Sequence, residues 1–229
     1  MRWQAIPIAA FAVPLCLIAE LLPIRSYSTA DGLAADSINE IVVDSRGFVW
    51  FCTPEGLSRF DGYRFVNFGV AEGLPHRSVH ALLETRSGTY LVATARGLSE
   101  FQLGRGGSAF TTYLPGKLSE NFITALMQDS RGRIWCGTAG GLFEMLGGHK
   151  FRRQPLPAPL PPQERIEVSD VLEDAGHKLW VATTSGIYVI GKDGGVQHLT
   201  EKDGLPHEWV NALLLDKYDS CLLYTSRCV

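Results

Sequence analysis

Four segments of this chain superimpose on one another without a gap, and that repetition limits the possible fold more than any other feature. Residues 38–53 read INEIVVDSRGFVWFCT, 79–94 VHALLETRSGTYLVAT, 123–138 ITALMQDSRGRIWCGT and 168–183 VSDVLEDAGHKLWVAT. Each is followed three residues on by glycine and an aliphatic residue: Gly56-Leu57, Gly97-Leu98, Gly141-Leu142, Gly186-Ile187. Equivalent positions 50, 91, 135 and 180 stand 41, 44 and 45 residues apart, and a fifth copy opens at Val210-Asn211-Ala212. A period of this length, rich in short apolar runs, belongs to radially repeated β-architectures.

One unit reads as four strands. Ile38 and Ile41 lead into Asp44-Ser45-Arg46-Gly47, with Asp first and Gly fourth as a type I turn prefers. Residues 48–53 are aromatic and β-branched and read as the second strand. Thr53-Pro54-Glu55-Gly56 is a second turn, 57–60 a third strand, Asp61-Gly62 a hairpin signal and 63–68 a fourth strand. The fold class is therefore all-β: a β-propeller fragment of about four four-stranded blades plus the start of a fifth. The blades run at about 26–68, 69–114, 115–154, 155–200 and, in part, 201–220. Gly-Leu connectors (Asp31-Gly32-Leu33, Glu72-Gly73-Leu74, Asp203-Gly204-Leu205) link blades, and the proline-rich stretch 155–162 fills that place before the fourth copy. The repeats lack helical periodicity, so helix is expected only near the N-terminus.

The two ends differ from the repeats. Arg2 precedes an apolar run from Ala5 to Ala19 that Pro7 and Pro14 interrupt, which reads as a secretory signal or N-terminal anchor over residues 1–25. Residues 221–229, CLLYTSRCV, share no evident pattern with the repeats and read as a translated sequencing adaptor, a non-native tail. On that reading the native protein continues past Ser220. With Cys16 and the two tail cysteines set aside, Cys52 and Cys136 remain. The register aligns Cys52 with Gly137 and Cys136 with Phe51, which argues against a bond between them.

The string DGL…I..I..D..G..W..T..GL..FDG resembles the two-component regulator propeller repeat. The resemblance covers about residues 26–216. The second copy departs with Thr85 for Asp and Leu91 for Trp, the fourth with His177 for Gly. It implies the extracytoplasmic, periplasmic sensor region of a hybrid histidine kinase or membrane diguanylate cyclase. Such a receptor is expected to be a homodimer held by a later membrane span, with a small ligand, a glycan among the possibilities.

Candidate chemistry is sparse. The net charge of −3 at pH 7 gives no footprint for nucleic acid. His76 and His80 stand four apart, but they flank a strand start, where His80 aligns with Asn39, Thr124, Ser169 and Asn211, so a metal site is not expected. Asp44, Asp129 and Asp174 lack the second oxygen-rich position of a calcium loop and read as turn residues. Trp50, Trp135 and Trp180 read as core between blades, and Thr53, Thr94, Thr138 and Thr183 as strand-end backbone partners. Trp209, in a connector where other copies have Ser37, Ser78 and Phe122, is the one candidate ligand contact. No catalytic, cofactor or metal residue is assigned. The expected function is ligand sensing in a two-component receptor; the alternatives are a secreted enzyme of the streptogramin-lyase type and a protein-interaction propeller.

Overall fold

The computed structural model describes residues 24–102, 110–157, 166–216 and 221–225. Four antiparallel meanders follow one another: β1 (Glu40–Val43) to β4 (Phe65–Phe68) through β2 (Val49–Thr53) and β3 (Gly56–Phe60); β5 (Val79–Glu84), β6 (Tyr90–Thr94), β7 (Gly97–Phe101) and β8 (Phe110–Tyr113); β9 (Ile123–Gln128), β10 (Ile134–Thr138), β11 (Gly141–Leu146) and β12 (Lys150–Gln154); and β13 (Val168–Glu173), β14 (Leu179–Thr183), β15 (Gly186–Ile190) and β16 (Val196–Leu199). A fifth sheet holds β17 (Val210–Leu215) and β18 (Cys221–Thr225). The first strands of consecutive sheets neighbour one another, β1 beside β5, β5 beside β9, β9 beside β13 and β13 beside β17. This is the arrangement of propeller blades around an axis.

Local chemistry fixes each meander. The Asp44 amide donates to Phe48 O at 3.0 Å, and the Gly47 amide to Asp44 O at 3.0 Å. Gly47 turns with φ +85°, a left-handed conformation that closes the three-residue loop. His177 occupies the equivalent place at φ 59°; its Nδ1 lies 2.8 Å from Ser130 Oγ and 3.2 Å from Glu173 Oε1, contacts that hold a strained side chain in the glycine position. At the next turn the threonines act as the sequence implies. Thr53 Oγ1 donates to Gly56 O at 2.8 Å and accepts the Glu55 amide at 3.1 Å, and Thr94, Thr138 and Thr183 repeat the pair.

The core lies between blades. Among the described residues there is one apolar cluster per junction: Trp50, Cys52 and Leu57 against Val79, Leu82 and Tyr90; Leu91 and Leu98 against Ile123, Cys136 and Phe143; Trp135 and Leu142 against Val168, Val181 and Tyr188; Ile187 and Val189 against Val210 and Leu213. Trp50 and Trp135 are buried as expected, while Trp180 stays half-buried against the last sheet. Cys52 and Cys136 fall in different clusters and are both free.

Three expectations are corrected. The fourth strand of the first blade begins at Phe65, not residue 63, because the Asp61 carboxylate accepts the amides of Tyr63 and Arg64, each at 2.9 Å, and lengthens the loop. Helix is not confined to the N-terminal segment, which lies outside the described residues. Each Gly-Leu connector winds one 3-10 turn: Thr29–Asp31, Val70–Glu72 and Glu201–Asp203. Asp31, Glu72 and Asp203 fold back onto the amides of Ser28, Gly69 and Thr200, and Gly32, Gly73 and Gly204 close the turns at φ of 100°, 105° and 102°. Finally, Cys221–Thr225 is not without pattern. It pairs with β17 so that Thr225 faces Val210, as Thr183 faces Val168. Leu222 stands where three of the other copies have Trp and one has Leu91, and Tyr224 where they have Cys52, Ala93, Gly137 and Ala182, which hides the register in the sequence. The adaptor reading of 221–229 concerns origin rather than geometry, and residues 226–229 lie outside the described residues.

Candidate functional site

Several side chains with shifted pKa values, among them Glu40, His80, Tyr90 and Asp170, lie at the junctions between blades. The residue after the first apolar position of each first strand reaches across to the next blade. Asn39 Nδ2 donates to Val79 O at 2.7 Å, His80 Nδ1 lies 2.7 Å from Ile123 O, and the Thr124 and Ser169 hydroxyls donate to Val168 O and Val210 O. A carbonyl only accepts, so His80 carries its proton on Nδ1 and takes the Ser78 hydroxyl on Nε2 at 2.9 Å. Burial pushes its pKa down, the Ile123 bond opposes, and His76 adds to the lowering. The position demands a donor, which is what Asn, His, Thr and Ser share. His76 Nδ1 accepts the Ser78 amide at 3.0 Å, as His207 Nδ1 accepts the Trp209 amide at 2.9 Å. No group of three potential metal ligands exists among the described residues.

One residue further on, Glu40 accepts the Leu82 amide and Asp170 the Leu213 amide, both at 2.8 Å. Burial lifts Glu40 to about 7, against the Leu82 bond, with Asp170 adding to the rise; burial also raises Asp170. These are blade-to-blade braces, with Ala81 and Ala125 at the same position in the intervening blades.

The turn aspartates do more than shape a turn. Asp44 Oδ2 accepts Trp50 Nε1 at 2.8 Å, Asp129 Oδ2 accepts Trp135 Nε1 at 3.0 Å, and Asp174 Oδ2 accepts Trp180 Nε1 at 2.8 Å. The sequence holds the signal: the one copy that lacks Asp, at Thr85, also lacks Trp, at Leu91.

The face with the connectors and the β2–β3-type turns carries the candidate ligand site. Trp209 is half exposed there. The equivalent Phe122 packs on His80 with ring centroids 4.6 Å apart and planes tilted by 37°, and lines a cavity of about 480 Å³ with His76, Arg96, Lys117, Leu118 and Ala139. A second cavity of about 380 Å³ shares Arg96 and Leu118 and adds Pro75, Leu114 and Asn121. Sequence reading placed the candidate at Trp209; the structure forms this cavity at Phe122, two blades earlier. Arg96 and Lys117 escape notice in the sequence because a lone cation in a turn resembles any solvated residue.

Residues 117–140 match the family model for the two component regulator propeller. Histidine kinase P4 of Formosa agariphila is 30% identical over 79 residues, a stretch covering 30% of this chain and 6% of that protein. Among solved structures, the extracellular domain assigned to a hybrid two component system of B. thetaiotaomicron superimposes with a TM-score of 0.69 at 18% identity, over 84% of this chain and 26% of that one. Virginiamycin B lyase from Staphylococcus aureus gives 0.63 at 16% identity, over 81% and 62%. At such identities the likenesses show the fold. The chain spans a small fraction of the kinase and about a quarter of the two component domain. Repeat register and sheet order agree on a β-propeller fold, and within it residues 117–140 are similar to the two component regulator propeller repeat.

Proposed function

We propose that this propeller is the extracytoplasmic sensor part of a two-component receptor whose output lies in a further cytoplasmic domain. The match of residues 117–140 to the regulator repeat carries the reading, and the histidine kinase relative supports it. Streptogramin-type lyases share the fold about as well as the sensor domains do, so fold likeness does not choose between them. Among the described residues no helix is long and apolar enough to cross a membrane. Ligand bound at the connector face would favour one of two receptor arrangements through differential affinity.

Two measurements test this. The encoding gene, read past the codon for Ser220, is expected to continue through further repeats to a membrane span and a kinase or cyclase domain. A stop soon after the closing blade, with no span, overturns the receptor reading. A fusion of alkaline phosphatase after Asp216 is expected to be active outside the cytoplasm, and an inactive fusion overturns the export reading.

A further inference from the structure

The junction between the second and third blades differs from the one before it in a way that leaves a cation uncovered. At the first junction the turn residue Glu55 pairs with the connector residue Arg77, Oε1 to Nη1 at 2.9 Å, and this bond bridges the two blades. In the repeat register Arg96 replaces Glu55 and Asn121 replaces Arg77. The charge in the turn is reversed and its partner is neutral. The connector itself also differs. In place of the acid-capped 3-10 turn stands Gly116-Lys117-Leu118-Ser119-Glu120. Its acid, Glu120, caps the Lys117 amide at 2.6 Å and pairs with Arg153 of β12 at 2.9 Å. Among the described residues neither Arg96 nor Lys117 has a carboxylate partner. Both side chains border the 480 Å³ cavity, whose remaining wall is Phe122, Leu118, Ser119 and two alanines, with His76 at one side and no acid.

We propose that this cleft binds a small organic carboxylate, its anion held by Arg96 and Lys117 and its apolar body lying against Phe122 and Leu118. The volume lies in the range of small-molecule sites, mostly apolar with a few convergent polar groups. Arg96 offers a planar fork matched to a carboxylate, and Lys117 adds a second charge. Phe122 is already oriented, because its ring rests on His80, which two hydrogen bonds fix in place. The second cavity, reached past Arg96 and Leu118 and lined by Pro75 and Leu114, gives a longer apolar body room.

The inference rests on the sensing reading only for its purpose, since binding by the propeller is measured without any output domain. Ligand-observed NMR on the full chain would use benzoate, cyclohexanecarboxylate and neutral benzamide. Both carboxylates are expected to bind and benzamide at least tenfold more weakly. Tighter benzoate than cyclohexanecarboxylate assigns stacking on Phe122, and equal affinity assigns simple filling; either supports the site. Arg96→Gln is expected to weaken benzoate about tenfold, the scale of one charge-assisted contact. Arg77→Gln, at the closed junction, is expected to leave binding unchanged. Both residues are exposed, so thermal melts should match the parent. Binding of benzamide equal to benzoate, undiminished binding in Arg96→Gln, or no binding of either carboxylate overturns the proposal and leaves the receptor architecture to its own test.

Discussion

Asp44 ties two blades together, and removing it should cost more than removing its counterpart in the fourth blade. Its Oδ2 accepts Trp50 Nε1 and the Tyr90 hydroxyl, each at 2.8 Å, and its Oδ1 accepts the amides of Arg46 at 3.0 Å and Phe48 at 2.9 Å. Trp50 is fully buried and Tyr90 is 3% exposed. In Asp44→Ala the two loop amides can turn to water, but the indole and phenol donors stay buried with no acceptor. An orphaned buried donor costs about 1–3 kcal/mol, so the loss is about 2–6 kcal/mol. Asp174→Ala orphans only the indole of half-buried Trp180, for about 1 kcal/mol. Urea unfolding followed by tryptophan fluorescence and circular dichroism measures both. Tyr90→Phe supplies the decisive arm. In the parent it removes a bond to a carboxylate and destabilises; in Asp44→Ala it removes an orphan and is neutral or stabilising, so the cycle couples by at least about 1 kcal/mol. Equal effects of Tyr90→Phe in both backgrounds would refute the shared anchor. The pH dependence has a definite sign. Burial opposes ionisation of Asp44, but the bonds from Trp50, Tyr90, Phe48 and Arg46 outweigh it and hold the carboxyl below its ordinary range. Its contribution is therefore present above the unfolded value, near pH 4, and is lost as pH falls through the folded value.

Glu40 predicts the opposite slope. Burial lifts it from 4.5 to about 7, so the folded chain holds a proton that the unfolded chain releases, and stability falls as pH rises through that window. Urea midpoints between pH 5 and 8 should show Glu40→Gln flattening the fall; an unchanged slope counts against the buried brace. Cys52 and Cys136 should resist Ellman's reagent in the folded chain and react on unfolding, since burial raises both thiols, Cys136 up to about 12. Rapid native labelling, or a protected bond between them, contradicts the inter-blade placement. Tyr188 is fully buried, and its hydroxyl has no hydrogen-bond partner among the described residues. Tyr188→Phe should leave stability unchanged or raise it by about 1 kcal/mol, and a loss beyond about 1 kcal/mol would reveal an acceptor for that hydroxyl.

Much of the fold was legible in the sequence because a repeat writes its constraints several times. Thr53 and Gly56 recur in all four aligned copies and Asp44 and Gly47 in three each, and with their neighbours they set the turns, strand order and period, all of them local consequences of backbone chemistry. The same alignment kept Cys52 and Cys136 apart. What only the tertiary structure decided lies across the junctions. That Asn39, His80, Thr124 and Ser169 serve one role appears only when the next blade's carbonyl stands opposite, since donors of different shape share no sequence pattern. Likewise Arg96 is one solvated cation among many until the third blade brings Phe122 and Lys117 beside it and turns Glu120 toward Arg153. Local periodicity specifies each blade by itself. A site between blades depends on side chains more than 20 residues apart, and their separation in space is set by packing that no single copy encodes.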